Sequence, residues 1–387
     1  MVDILDARQM ITELIRQYYS GAADIAPTHI SEREFGFGEF GRKISIRHIA
    51  FENGEQLRRY LVANAPPYVS VSSAYYKYPS ARPMENKKIE AAELVFDLDA
   101  TDMDLSCQKV HGKQWVCQNC LHEVKRETTR LIEDFLIPDF GFDEKEISIN
   151  FSGNRGYHVH VVSDKVLTLD NYARNEISSY IRAIGIDFES FFPTAGKKGK
   201  QLKGPKPSDI GWGGRIARSF IDALHAGKDS LMKLGMDSAT ATRLYRKKAL
   251  VELGINNGNW DMVYIKKKEE FWSKIINNQS IMQSDKIDKN VTSDATHLIR
   301  LPNSIHGDTG LISKKIGSIR DLERFDPMRE CIAFKKGEAK IKAAKSPELT
   351  MNGMTFGPFE DKEVRVPMYV AVYLYLKGYA EILDVSE

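Results

Sequence analysis

Three segments far apart in the chain hold the residues best suited to chemistry: LVFDLDA at 94–100, NFSGNRGYHVHV at 150–161 and KIDKNVTSDATHLIRLPNSIHGDT at 286–309. In the first, an apolar run leads into Asp97 and Asp99. Strand side chains alternate with period two, so both carboxylates leave the sheet on one face. Two like charges that close repel each other, and the pair reads either as a site for a divalent cation such as Mg²⁺ or Mn²⁺ or as a solvated strand end. In the second segment, SGNRG offers backbone amides and Ser152 to a phosphate and Arg155 as a forked cation, followed by His158 on the same strand face as His160. A plain hairpin turn, which Gly153 and Gly156 would serve equally, is the competing reading. In the third, Asp288 and Asp294 lie upstream of HLIRLPNSIH, where Arg300 and His306 flank a proline-bounded turn. Together these residue types suit nucleotidyl-transfer chemistry, if the fold brings the three segments to one place.

A second constellation follows the paired carboxylates directly: Cys107-x3-His111-x5-Cys117-x2-Cys120. The CxxC spacing lets a tight turn present two sulfurs to one ion, and a further Cys and His complete a tetrahedron. Four protein ligands leave no open position, so a zinc ion here would be structural, pinning an excursion with too little apolar content to fold alone. His122 is a substitute for His111. The fourth cysteine, Cys331, is isolated, and four cysteines so distributed do not suggest a disulfide framework.

The elements that must position these residues alternate. Asp6 to Tyr19 has helical spacing of Ile11, Leu14, Ile15 and Tyr18, and KISIRHIAF after REFGF alternates like a strand. Helices are expected over Glu55–Ala63, Glu123–Leu136 and Asn171–Ala183, and strands over Leu94–Asp99, Ile147–Phe151 and Tyr157–Val162. From Arg215 to about Met282 the pattern is almost wholly helical, an insertion after which the core resumes with His297–Leu301 and Leu311–Ile316, a strand at Cys331–Phe334 and a terminal amphipathic helix at Pro367–Gly378.

With 387 residues, 42% hydrophobic and 28% charged, the chain is of globular composition and long enough for a large domain with a smaller one. No run approaches the roughly 20 apolar residues of a membrane span, and MVDILDARQM lacks the marks of a signal peptide, so no membrane role and an intracellular location are expected. The net charge is only +2, yet Ala195–Leu250 holds thirteen Lys and Arg against four Asp and no Glu. This stretch opens with the Gly/Pro/Lys loop GKKGKQLKGPKP, and a nucleic-acid backbone is the obvious partner for such charge, a solubilising loop the alternative.

The Asp97-Leu98-Asp99 pair, the Ser152-Gly153-x-Arg155-Gly156-x-His158 turn and the segment Asp288-x-x-Val291-Thr292 … His297-Leu298-Ile299-Arg300-x-Pro302-x-Ser304-x-His306 resemble the catalytic small subunit of archaeal and eukaryotic DNA primase, in order and at similar separation, over most of the chain. REF at Arg33–Phe35, Tyr18-Tyr19 and the cysteine-rich knuckle also fit that family. The resemblance implies an α/β (α+β) archaeo-eukaryotic primase core with a mixed β-sheet, occupying 1–214 and 284–387, a zinc knuckle at about 105–122 and a helical subdomain inserted at 215–283. It implies that Asp97, Asp99 and Asp288 hold catalytic Mg²⁺ or Mn²⁺, with Asp294 the runner-up for the third ligand. Ser152, Arg155, His158, Arg300 and His306 would hold the incoming nucleotide, with Arg33 close by.

One position departs from the family: HGDTG carries Asp308 where a basic residue is common, and Lys314 or Lys315 are candidates to compensate. The function so implied is template-directed synthesis of short RNA primers, with DNA primers also open, from nucleoside triphosphates on single-stranded DNA, in a heterodimer with a large primase subunit. Two alternatives stand beside it: a stand-alone primase-polymerase used in repair or by a mobile element, and a non-catalytic zinc-containing single-strand binder. An archaeal source would place the protein in the cytoplasm, a eukaryotic one in the nucleus.

Overall fold

The computed structural model describes residues 4–21, 25–193, 201–263, 268–279 and 289–386. The chain divides into two compact units, one from Met1–Thr129, Asp143–Asn175 and Ser284–Glu387, the other from Arg130–Phe142 and Glu176–Gln283.

The first unit is α+β. One four-stranded sheet runs Arg42–Ile49, Phe35–Glu39, Tyr68–Ser72, Leu298–Arg300; a second runs Lys314–Ile316, Ile147–Phe151, Gly156–Val161, Leu94–Asp99. Every pairing in both is antiparallel, so the sheet part of the core is carried by two antiparallel sheets. Leu94, Phe96 and Leu98 lie at 0–2% exposure on one face of their strand, and Val95 is as deeply buried on the other, leaving Asp97 and Asp99 as its half-buried positions. The neighbouring strand is buried throughout: Tyr157, Val159 and Val161 are inaccessible, each worth about 1.5–3 kcal/mol relative to exposure. Register then fixes the chemistry, because Asp97 pairs with His158 and Asp99 with Gly156.

The helix Ile4–Gly21 buries Ala7, Ile11, Ile15 and Tyr19, spaced one turn apart. Its last residues brace the loop after Arg300: the Tyr18 hydroxyl donates to the Asn303 carbonyl at 2.8 Å, and the Ile305 amide donates to the Tyr19 hydroxyl at 3.3 Å.

Beyond residue 318 the structure departs from the sequence pattern. Cys331–Phe334 forms no strand; Cys331 closes the short helix Pro327–Glu330 and only Ile332 makes an isolated bridge, to Leu311. A third sheet, Lys362–Pro367, Glu338–Ala343, Ala380–Ser386, stands there instead. The expected amphipathic helix is Met368–Leu376, but it buries every residue from Met368 to Leu374 and packs on that sheet. MYVAVYLYL is apolar all round, as a core helix must be.

The second unit is helical. Its helices Gly211–Ala226, Lys228–Lys233, Ser238–Arg246, Lys248–Asn256 and Lys268–Gln279 correspond to the helical stretch read from the sequence, and the unit also takes in 130–142 and 176–210. An aromatic knot closes it, with Trp260 5.3 Å from Phe192, 5.3 Å from Phe220 and 5.6 Å from Trp272 between ring centres. Arg215 and Asp139 form a buried pair at 2.7 Å, the guanidinium lying 3.9 Å over the Phe135 ring.

Candidate active site

The SGNRG turn joins Ile147–Phe151 to Gly156–Val161. The Ser152 hydroxyl oxygen accepts from the amides of Gly156 (3.1 Å) and Asn154 (3.4 Å), closing the turn and leaving its own hydrogen to donate. Gly153 has φ +86°, and a Cβ there would sit 2.8 Å from that of His306; a Cβ on Gly156 would lie 2.3 Å from the Leu98 carbonyl. Glycine is therefore required at both positions by close approach, and at the first by backbone conformation as well. Thr309 completes the junction, its hydroxyl donating to the Gly153 carbonyl at 2.6 Å.

Three distant segments converge in this way on one open pocket of about 450 Å³. Its lining includes Asp97 and Asp99 from the carboxylate strand, Ser152, Asn154, Arg155 and His158 from the turn and the strand after it, and Asp294, Arg300 and His306 from the third segment. Asp288 lies outside the described residues.

Asp99 and Asp294 are held alike, each opening an Asp-Ala-Thr triplet. Asp99 Oδ1 accepts from the Thr101 amide and hydroxyl, both at 2.8 Å, and Asp294 Oδ1 from the Thr296 amide (2.8 Å) and hydroxyl (2.7 Å). Arg155 Nε donates to both Asp99 oxygens, at 2.8 and 3.0 Å. His158 Nε2 lies 3.6 Å from Asp97 Oδ1. Burial, and then the fields of His160, Arg300, His297 and Lys43, push the His158 pKa well below the usual imidazole range. His306 is held neutral in the same way, first by burial and then by Arg300 and other cations. The Asp308 amide donates to His306 Nδ1 at 3.2 Å, which puts the ring proton on Nε2.

Tyr68 explains the departure at position 308. Its hydroxyl donates to Asp308, while its ring lies edge-on to His306 at 5.7 Å and 5.1 Å beneath the Arg300 guanidinium. Asp308 is thus an anchor for two pocket residues. Lys314 does not compensate for it; its ammonium pairs with Glu330 at 2.9 Å and lies 5.7 Å over the Phe325 ring.

Several pocket residues escaped the sequence reading, Lys43, Arg47, Ser70, Asn154 and Thr296, while His297 was read as part of the third segment's motif with no role of its own. Lys43 and Arg47 lie on the strand Arg42–Ile49, whose register against Phe35–Glu39 is broken by bulges, so alternation along the sequence does not place both on one face. Glu34 orients Arg47, accepting from Nε at 2.9 Å and Nη2 at 3.2 Å. Its neighbour Arg33 is a core residue and does not line the pocket: it donates to the Ser72 carbonyl (2.7 Å) and the Thr28 carbonyl (2.8 Å) and pairs with Glu93. Burial pushes the Glu93 carboxyl up, but His160 and Arg33 outweigh it and hold the group far below the carboxylate range.

The second constellation is assembled too. Cys107, His111, Cys117 and Cys120 bring one ligand atom each within 4.8 Å of the others. The separations Cys107–Cys120 3.5 Å, Cys117–Cys120 3.7 Å and His111 Nε2–Cys117 3.3 Å approach the edge of about 3.8 Å of a tetrahedron with metal–sulfur bonds of about 2.3 Å. His111 Nδ1 is 2.7 Å from the Gly112 carbonyl, a contact that fixes the tautomer and leaves Nε2 as the ligand. The cluster could therefore hold a metal ion; His122 is not part of it.

The DNA primase small subunit family profile matches residues 96–318, the span from the carboxylate strand to past the His306 loop. Among curated relatives, the DNA primase small subunit PriS of Methanothrix thermoacetophila is 35% identical, covering 95% of this chain and 96% of its own. Those of Methanosarcina acetivorans (33% identical, 96% of each chain) and Picrophilus torridus (32%, 92% of this chain and 93% of its own) are similar over nearly the same extent. The chain belongs to the DNA primase small subunit family, the DNA-directed nucleotidyltransferases that synthesise primers for DNA replication.

Proposed function

We propose that the pocket joins nucleoside triphosphates on a single-stranded DNA template, making short RNA primers, with Asp97, Asp99 and Asp288 as ligands for catalytic Mg²⁺ or Mn²⁺. The observation that carries this reading is the convergence of the carboxylate strand, the SGNRG turn and the Arg300–His306 segment on one pocket. The donor set fits hard divalent cations: half-buried carboxylates on one strand face, one of them already oriented by Thr101. Such cations, when bound, lower the pKa of the attacking 3′-hydroxyl and offset the charge that develops at the α-phosphate. Around them, Arg155 and Arg300 supply fixed charge to the triphosphate and Ser152 a hydroxyl donor. His306 adds a neutral Nε2–H, and His158 lies beside Asp97 with its ring neutral. Losing one such contact costs about 2–4 kcal/mol of transition-state stabilisation.

The cysteine cluster is read as a structural zinc site. The names of the relatives support work alongside a large subunit, and their archaeal sources support a cytoplasmic setting. Among the described residues no helix is long and apolar enough to cross a membrane.

The test is labelled-nucleotide incorporation on unprimed single-stranded DNA with Mg²⁺ or Mn²⁺, with and without a large subunit, comparing the wild type with Asp97→Ala, Asp288→Ala and Asp294→Ala. Template-dependent short products from the wild type, lost in Asp97→Ala and Asp288→Ala, are expected. Loss in Asp294→Ala with Asp288→Ala active would move the third ligand to Asp294. Tight single-strand binding without products under any condition would turn the assignment to the non-catalytic binder.

A further inference from the structure

We propose that Lys377, at the end of the buried terminal helix, is a positioning residue of the nucleotide pocket, orienting the Asn154 amide toward the triphosphate. Lys377 closes the helix Met368–Leu376 and lies well outside the 96–318 span of the family profile. Its Nζ donates to Asn154 Oδ1 at 2.8 Å and to the Gln114 carbonyl at 3.4 Å.

The first bond decides which way the Asn154 amide faces. A primary amide has one accepting and one donating end, and an ammonium can be served only by the oxygen. With Oδ1 taken, Nδ2 and its two N–H donors are the end available to an anion in the pocket that Asn154 lines. The second bond reaches the neighbouring residue of the turn. Gln114 Oε1 accepts from Arg155 Nη1 at 3.3 Å, and Arg155 in turn holds Asp99. Lys377 thus stands behind two consecutive residues of the SGNRG turn.

The acceptors of this ammonium are an amide and a carbonyl, both neutral. Burial first, and then Arg155, push its pKa down to about 8, against the pull of Asp308 and Asp99. A half-buried cation so weakly paired is stabilised by an anion beside it, and a triphosphate in the pocket is one. The same placement answers the departure at position 308: the cation near that loop comes from the terminal helix, while Lys314 is committed to Glu330.

This inference rests on the nucleotidyl-transfer reading of the pocket, and steady-state primer synthesis separates the two. Wild type, Asp97→Ala, Lys377→Met, Lys377→Arg, Asn154→Ala and the Lys377→Met/Asn154→Ala double variant are compared for nucleotide KM and for kcat. A wild type that makes no primers sinks the reading of the pocket itself. With an active wild type, loss of one oriented hydrogen bond to a charged group raises the nucleotide KM of Lys377→Met about tenfold at nearly unchanged kcat. Lys377→Arg recovers most of that loss, Asn154→Ala resembles Lys377→Met, and the double variant is no worse than Asn154→Ala alone. An unchanged KM in Lys377→Met overturns the inference. So does a fully additive double variant, or a joint loss of kcat and melting temperature that arginine does not rescue.

Discussion

At the scale of single residues the pocket is built from groups whose protonation is set by burial. His306 is the clearest, buried, neutral and fixed in one tautomer by the Asp308 amide. Its folded pKa lies well below the roughly 6.5 of an unfolded histidine, so between those values the unfolded chain binds a proton that the fold refuses. The stabilisation from keeping the ring neutral is complete above pH 6.5 and is lost as pH falls toward the folded pKa. Unfolding by urea at pH 7.5 and 5.5 should show His306→Gln losing less stability than the wild type over that interval. Equal losses in the two proteins would mean that the ring takes up its proton without leaving the fold. His158 pushes the wild type in the same direction, so the informative quantity is the difference between the two proteins.

At the scale of elements, the knuckle depends most on something other than its own apolar content. Residues 107–120 carry one large buried anchor, Trp115, 1% exposed and edge-on to Tyr373 and Tyr379 at 6.0 and 5.0 Å. A segment this short orders itself only if its four ligands are tied together, so metal binding and local folding are one event. About one tightly held zinc per chain is expected by elemental analysis. Its removal by a chelator, or Cys117→Ser, should lower the melting temperature and shift the emission of Trp115 to the red, a shift absent in Trp115→Phe. No bound metal above background, with the same melting curve before and after chelation, would make the cluster an ordinary group of reduced thiols. The elements read correctly from the sequence carry uninterrupted signals: LVFDLD and ISINF are dense apolar strands with sharp ends. The strand Tyr68–Ser72 was missed although YVSVS is buried throughout, whereas two others missed are weak for physical reasons. The strand EAKIKA turns two alanines and one isoleucine inward, and AEILDVS lies half in solvent. Asp97, Arg155 and His158 were legible because one hairpin and its neighbouring strand bring them together. Lys43 and Arg47 were not, because only long-range strand pairing carries them to the pocket.

At the scale of the whole molecule the charge is nearly balanced at +2 but unevenly placed, and the excess lies in the helical unit. There Arg243, Arg246, Lys247 and Lys248 are all exposed, and Tyr245 stands among them, 39% exposed, with the Lys248 ammonium 5.2 Å over its ring. An aromatic ring set between cations is the arrangement that takes a single strand, the ring for a base and the charges for the flanking phosphates. The basic loop that opens this region is only partly described, and it shows no such ring in its sequence. Each phosphate contact on a single strand releases counterions worth a slope of about 0.7 in log K against log salt. Neutralising all four cations together should therefore flatten the salt dependence of single-strand binding by about 3 if each meets a phosphate. The template KM should rise and the nucleotide KM stay as it was, because none of the four lines the pocket. Unaltered salt dependence in the neutralised variant would assign this charge to solubility or to a protein partner, and would leave template binding to the cations of the pocket, Lys43 and Arg47 among them.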